Sequence, residues 1–381
     1  MKKNTLLSGI SIFFQLIYFI GNAQNLDRKL INIPDVPGYK TLKCDLHMHT
    51  VFSDGTVWPS FRVEEAWFDG LDVIAITDHL GKHQKNKVNE DNFNRNYEIA
   101  KPIADKYGIV LIKGSEITTK TNYGHINAIF LKDINRIDKK EPLDAVKAAA
   151  EQGAFITWNH PGWKKENDIP VWGKEQEEML KLGLLNGIEV INKRYYYPLA
   201  LTWCKEKKLT PLAFSDIHDP ASAEYDYLNG EQRAMTLVFS KDTSLAAIKE
   251  ALLQKRTLAY YNNELMGSEE FLKAIFNASV SILNNELTID ADSDNDYFGY
   301  IRIQNKSCIN FDLELVEADK VLKISKNTQL NAISETCISM KPAPRDIKGN
   351  KEYNLKFHVK NLHQSPEESL IIEIPVKVKF I

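Results

Sequence analysis

The stretch Asp45-Leu46-His47-Met48-His49-Thr50 carries two histidines at positions i and i+2. On a strand, side chains two residues apart point to the same side. The pair therefore sets two imidazoles next to each other, ready to hold one divalent ion. Asp54, after a short turn, offers a hard oxygen ligand nearby. A lone His-x-His carries little weight, so the other ligands must come from later in the chain. They are available at expected strand ends: His79 in Thr77-Asp78-His79, His83 in the loop after it, His125, His160 in Asn159-His160-Pro161, and His218 in Ser215-Asp216-Ile217-His218. The carboxylates Asp54, Asp78, Glu116, Glu189 and Asp216 keep them company. Each residue alone reads equally well as a satisfied structural histidine or a helix cap. Together, mixed imidazole and carboxylate donors suit zinc, manganese or iron.

The elements that must position these groups follow from hydrophobic pattern. Short apolar runs at 41–46, 71–77, 109–113, 126–131, 154–158, 188–191, 209–214, 235–239 and 257–261 suit strands buried on both faces. Helical patterns at 61–68, 94–107, 142–152, 174–186 and 244–255 lie between most of them, and the first four each end before a glycine, Gly70, Gly108, Gly153 and Gly187. Strand–helix alternation of this kind predicts a parallel α/β barrel or a doubly wound sheet, imperfect at 126–131. In either, strand C-termini converge on one mouth, which gathers the histidines and carboxylates.

Outside this unit the grammar differs. Lys2 and Lys3 precede an apolar run from Leu6 to Ile20 and then Gly21-Asn22-Ala23, which predicts a signal peptide (1–23) cleaved after Ala23. The expected location is periplasmic or secreted, without stable membrane insertion after cleavage. Residues 24–40, with Pro34 and Pro37, read as an extended arm. The α/β unit that carries the histidines then spans 41–276. Residues 277–381 read as β-strands with polar turns, a small sandwich-like all-β domain whose protein partner is left open. The net charge is −3, with 26% charged residues and no polybasic tract, so nucleic acid is not an expected partner.

The ordered set Asp45-Leu46-His47-Met48-His49, Ser53-Asp54-Gly55, Thr77-Asp78-His79, Gly114-Ser115-Glu116, Asn159-His160-Pro161 and Ser215-Asp216-Ile217-His218 resembles the PHP (polymerase and histidinol phosphatase) superfamily over 41–261. Val57-Trp58-Pro59 and Trp158-Asn159-His160-Pro161-Gly162-Trp163 are most similar to its secreted bacterial phosphodiesterases. The resemblance implies a distorted seven-stranded (β/α) barrel with two or three divalent ions at the strand C-termini. It implies His47, His49, Glu116 and Asp216 around one ion, and Glu116 bridging to a second held by His125 and His160. Asp54, His79 and His218 would form a third position, where relatives often have histidine in place of Asp54.

The implied activity is hydrolysis of a small-molecule phosphate ester. Two ions about 3.5–4 Å apart can bridge a water and lower its pKa toward neutrality, delivering hydroxide in line to phosphorus. Asp216 belongs to that catalytic centre. His218, then His83, are the candidate general acids. Arg194, Lys82 and His83 are the candidate phosphate contacts, arginine because its fork matches phosphate oxygens. So few loop cations lean the reading toward diesters. A phosphomonoesterase of the same fold, or a non-catalytic metal-containing binding protein, are the alternatives.

Overall fold

The computed structural model describes residues 27–80, 88, 92–291, 298–317, 319–342 and 347–381. The expected signal peptide and the candidates Lys82 and His83 lie outside these residues.

In chain order the first unit runs β1 (Lys40–Asp45), α1 (Pro59–Phe68), β2 (Val73–Ile76), α2 (Arg95–Tyr107), β3 (Val110–Thr118) and β4 (His125–Ile129). It continues α3 (Pro142–Glu151), β5 (Phe155–Trp158), α4 (Lys174–Lys181), β6 (Gly187–Asn192), β7 (Tyr195–Tyr196), α5 (Pro198–Lys207) and β8 (Thr210–Phe214). A short α6 (Ala221–Glu224), β9 (Met235–Ser240), α7 (Leu245–Leu253), β10 (Thr257–Tyr261), β11 (Glu264–Gly267) and α8 (Glu269–Ser279) complete it. The strands are buried along almost their whole length, as their apolar composition requires.

Their pairing is mixed rather than all parallel. The hydrogen-bonded path runs β11-β10-β9-β1-β2-β3-β4-β5-β6, with β8 paired to β6. β1-β2-β3 and β5-β6-β8 are parallel. β4 is antiparallel to both neighbours, because a short loop returns the chain from β3. β9 is antiparallel to β1 and β10 is antiparallel to β9. The break in alternation expected at 126–131 falls at β4, the expectation is corrected at β9 and β10, and the strand order is that of a sheet. The sheet curls, because its far strand comes back to the start of the path. The Thr236 hydroxyl both donates to the Ala213 carbonyl and accepts from the Ala213 amide. One parallel bridge joins Met48 to Ile217.

Two element boundaries differ from the sequence reading for local reasons. α4 stops at Lys181, not at Asn186, because Gly183 takes a left-handed conformation at φ 69° and ends the helix there. Gly187 instead opens β6, where an added Cβ would come 2.9 Å from the Thr210 carbonyl oxygen. β3 runs on to Thr118, which puts Glu116 within a strand instead of a loop.

The C-terminal strands β12 (Val280–Ile282), β13 (Glu286–Ile289), β14 (Gly299–Asn305), β15 (Phe311–Leu315), β16 (Leu322–Ile324), β17 (Asn327–Leu330), β18 (Ser334–Pro342), β19 (Gly349–Ser365) and β20 (Glu368–Phe380) form two layers. One is the sheet β12-β14-β18-β16, and the other continues the main sheet, since β19 pairs in parallel with β11. Alternating burial along β14 and β20 gives each an apolar inner face. All four cysteines are free.

Beneath the mouth of the curled sheet, Arg233 is fully buried, with Nη1 3.4 Å from Asp45 Oδ2 and Nη2 2.5 Å from Asp69 Oδ2. Asp45 in turn accepts from the Ser215 amide at 3.1 Å and from its hydroxyl, tying β1 to the end of β8. Removing the guanidinium strands a buried carboxylate. Arg233→Met is expected to cost about 3–5 kcal/mol, read as a fall in the urea midpoint with unchanged slope.

Candidate metal centre

The residues expected at the strand ends meet in one place. His47 and His49 follow β1 and are fully buried, with their Nε2 atoms 3.2 Å apart. Asp216 Oδ1 lies 3.2 Å from the first and 3.1 Å from the second. Glu116 Oε2, from β3, stands 3.8 and 3.5 Å from the same two nitrogens. On its other side, Glu116 Oε1 is 3.0 Å from His125 Nδ1 and 3.5 Å from His160 Nε2. Asp54 Oδ1 is 3.3 Å from His79 Nε2 and 3.2 Å from His218 Nε2.

The ligating atoms thus converge in four overlapping groups: His47, His49 and Asp216; His47, Glu116 and His160; His79, Glu116 and His125; His49, Asp54, His79 and His218. The division differs in one respect from that implied by the resemblance. His79 faces Glu116 and His125 as well as Asp54, so it sits between the second and third positions.

The donor set fits divalent ions. Glu116 Oε2 and His125 Nδ1 are buried, the first 2.6 Å from His79 Nδ1 and the second 3.0 Å from Glu116 Oε1, with further imidazole nitrogens and carboxylate oxygens crowded around them. Imidazole nitrogens and carboxylate oxygens that converge in overlapping groups make a donor set suited to shared divalent centres. The titration pattern points the same way. Burial, then the neighbouring His79 and His218, push His49 down to about 3, which keeps it a neutral ligand. Burial opposes the ionisation of Glu116 and Asp216, but the imidazoles of His79 and His125 around the first and of His47 and His49 around the second outweigh it. Both carboxyls are held well below their usual range. Burial likewise works against charge on His47, yet Asp216 and Glu189 push it well up.

A second ring of contacts orients the ligands. Glu189, fully buried on β6, takes His47 Nδ1 at 2.6 Å and the His160 backbone amide at 2.7 Å. It therefore fixes two ligands from two strands at once. Asp78 accepts from the Thr50 amide and hydroxyl, the Ser53 hydroxyl and the Asn96 side chain, each at 2.7 Å. That holds the loop from His49 to Asp54. Asn159 Nδ2 donates to Glu116 Oε1 at 3.0 Å. Arg62, fully buried, donates to the His49 carbonyl at 2.8 Å. Glu224 accepts from the His218 and Asp219 amides at 2.6 and 2.8 Å. Asp216 and His160 occupy left-handed backbone at φ 48° and 27°, conformations costly for a side-chain-bearing residue and kept where the surroundings enforce them. The sequence showed Glu189 as a strand carboxylate but not its partners, and it left Arg62 and Glu224 unmarked because both act through folding-dependent contacts.

His218 is the most accessible imidazole of the cluster, its side chain 27% exposed. Its Nδ1 lies 2.9 Å from the Asp216 carbonyl, which leaves Nε2 facing Asp54. Burial opposes its charge, but Asp54 and Asp216 raise its pKa above the ordinary value. Arg194 does not serve as expected. Its fork closes on Glu231 at 2.7 and 2.8 Å, and it is not among the described residues that border the cleft over the cluster. That cleft, of about 820 Å³, is bordered by Asp54, His79, His125 and His160 on one side. Lys120, Lys164 and Lys165 also border it, cations that the sequence reading passed over. Trp163 stands beside them, while Trp158 stacks on Trp203 and Trp172 meets both edge-on.

An α/β scaffold with a buried multi-ligand centre at its strand ends, joined to an all-β domain, defines a metal-dependent hydrolase class. Residues 286–375 match the family model DUF5001, described as an Ig-like domain. The crystal structure of a two-domain protein from Bacteroides vulgatus ATCC 8482, containing a predicted PHP-like metal-dependent phosphoesterase, is 39% identical. The match covers 92% of this chain and 99% of that one, with a TM-score of 0.84. At that identity and coverage the chain belongs to the PHP-like metal-dependent phosphoesterases. A candidate metal-dependent phosphoesterase from Bifidobacterium adolescentis is 19% identical over 46% of this chain and 88% of that one, with a TM-score of 0.38. An amidohydrolase from Chromobacterium violaceum is 17% identical over 47% and 88%, with a TM-score of 0.35. None of the curated proteins matches the chain.

Because Glu189 orients His47 and His160 together, Glu189→Gln is expected to weaken metal loading by about 10–100-fold while the fold persists. Metal content after chelation and reconstitution, by elemental analysis, checks this. Unchanged loading would remove Glu189 from the centre.

Proposed function

We propose that this chain hydrolyses small-molecule phosphate esters, with a preference for diesters, using two or three divalent ions (zinc, manganese or iron) held by His47, His49, Asp54, His79, Glu116, His125, His160, Asp216 and His218. The observation that carries the reading is Glu116: one buried carboxylate whose Oε2 faces His47, His49 and His79 and whose Oε1 faces His125 and His160. When bound, divalent ions there supply an activated water and neutralise charge on the phosphoryl oxygens.

The chain's own residues do the rest. Glu189 and Asn159 hold the ligands in register. His218, its Nδ1 tied to the Asp216 carbonyl, donates a proton from Nε2 to the leaving alkoxide oxygen when only two ions are held and the position it shares with Asp54 and His79 carries none. Lys120, Lys164 and Lys165 supply the positive charge assigned from sequence to Arg194. Those lysines also favour a second reading, a phosphomonoesterase, because the extra phosphate charge needs extra cations. The curled sheet, bridged at Met48 and Ile217, supports a distorted barrel. The run from Leu6 to Ile20 supports a periplasmic or secreted location.

The test loads the protein with zinc, manganese or iron and compares bis(4-nitrophenyl) phosphate with 4-nitrophenyl phosphate. A higher kcat/KM for the diester is expected, and a higher value for the monoester reverses the preference. Metal bound with neither substrate cleaved overturns the esterase reading. His218→Ala should lower kcat by about 10²-fold, most steeply on poor leaving groups.

A further inference from the structure

The loop after His160 presents apolar surface where most loops would be polar. Trp163 is 46% exposed and Val171 is 61% exposed, and both border the cleft above the ligand cluster. The indole is placed against the centre itself. Its ring centroid is 4.9 Å from that of His125 and 5.2 Å from that of His160. It cannot retreat into the core, because the loop is closed tightly beneath it. A Cβ at Gly162 would come within 1.9 Å of the Asp168 carbonyl oxygen and 2.6 Å of the buried Tyr197 ring. The Trp163 amide donates to the His160 carbonyl at 2.9 Å, and the Lys165 amide to the Gly162 carbonyl at 3.0 Å. The ammonium of Lys164 stands 3.8 Å from the centroid of this exposed indole, a place that an incoming group would take over. Among the described residues Lys164 has no carboxylate partner.

We propose that Trp163 and Lys164 form the subsite for the ester's organic substituent and select a flat aromatic group there. The proposal rests on the phosphoesterase reading. A ring stacked on a rigid indole gains contact area at low entropic cost. The displaced Lys164 gives up an exposed cation–π contact, which is weak, and its ammonium is freed to meet the ester's negative charge. Val171 extends the apolar wall. The residues Thr118 to Asn122, which also line the cleft, are polar and offer no equivalent surface.

Two diesters with the same 4-nitrophenolate leaving group read this directly: bis(4-nitrophenyl) phosphate and methyl 4-nitrophenyl phosphate. The ratio of their kcat/KM values should fall about tenfold in Trp163→Ala, mainly through KM of the aryl diester, and recover in Trp163→Phe. A ratio unchanged in Trp163→Ala overturns the subsite. Calorimetry of the metal-loaded protein with diphenyl and dimethyl phosphate gives a second readout that needs no turnover. Tighter binding of the diphenyl ester, lost in Trp163→Ala and retained in Trp163→Phe, is expected. Equal binding by wild type and Trp163→Ala overturns the subsite. If neither diester is cleaved, the diesterase reading fails and the binding measurement alone decides the subsite.

Discussion

A carboxylate removed from water is stable only when opposite charge or donated hydrogen bonds surround it. Glu116 has no exposure to solvent and sits where six imidazoles gather. Its Oε1 accepts from Asn159 and lies 3.0 Å from His125 Nδ1, and its Oε2 lies 2.6 Å from His79 Nδ1. Asp216 and Asp54 add further negative charge within the same shell. This concentration of acceptors is tolerable because cations belong there. The sheet around it is organised to keep the acceptors from spreading apart.

That organisation is visible in how the strand ends are tied. Asp45 links β1 to the end of β8 through Ser215, and Arg233 neutralises it from below. Arg62 joins the His49 carbonyl to the loop carrying His218. Glu189 joins His47 to the turn at His160. Each tie crosses between strands distant in sequence, so the ligands inherit the rigidity of the sheet. The left-handed backbone at His160 and Asp216 is the local cost of aiming both side chains inward.

The Ig-like domain is built into the same framework. β19 adds in parallel to β11, and Asn361 donates to the carbonyls of Asn263 and Asn310 at 2.7 and 2.8 Å. Sharing a sheet edge covers the backbone groups of β11 that would otherwise be open to another chain. His363, next to that pairing, lies 2.6 Å from Glu264 and stays away from the metal centre.

Much of the centre was legible before folding was considered. Histidine and carboxylate types are rare enough at strand ends that His47, His49, Glu116, His125, His160 and Asp216 stood out by position alone, and apolar runs located most strands. Strand direction was not legible, because a run buried on both faces reads alike whether parallel or antiparallel. That is why β9 and β10 departed from the expected alternation, while the short spacing after β3 had already marked β4 as irregular. Arg194 looked like a phosphate ligand because its sequence neighbours gave no sign of Glu231, which lies 37 residues away. Glu189 and Arg62 do their work through hydrogen bonds to residues distant in sequence, and Glu224 through bonds to the His218 and Asp219 amides, none of which leaves a periodic trace. The His-x-His pair set the ligand chemistry by residue type. Only the tertiary structure decided that Glu116 stands shared between two groups of ligands, since that depends on which strand lies beside which.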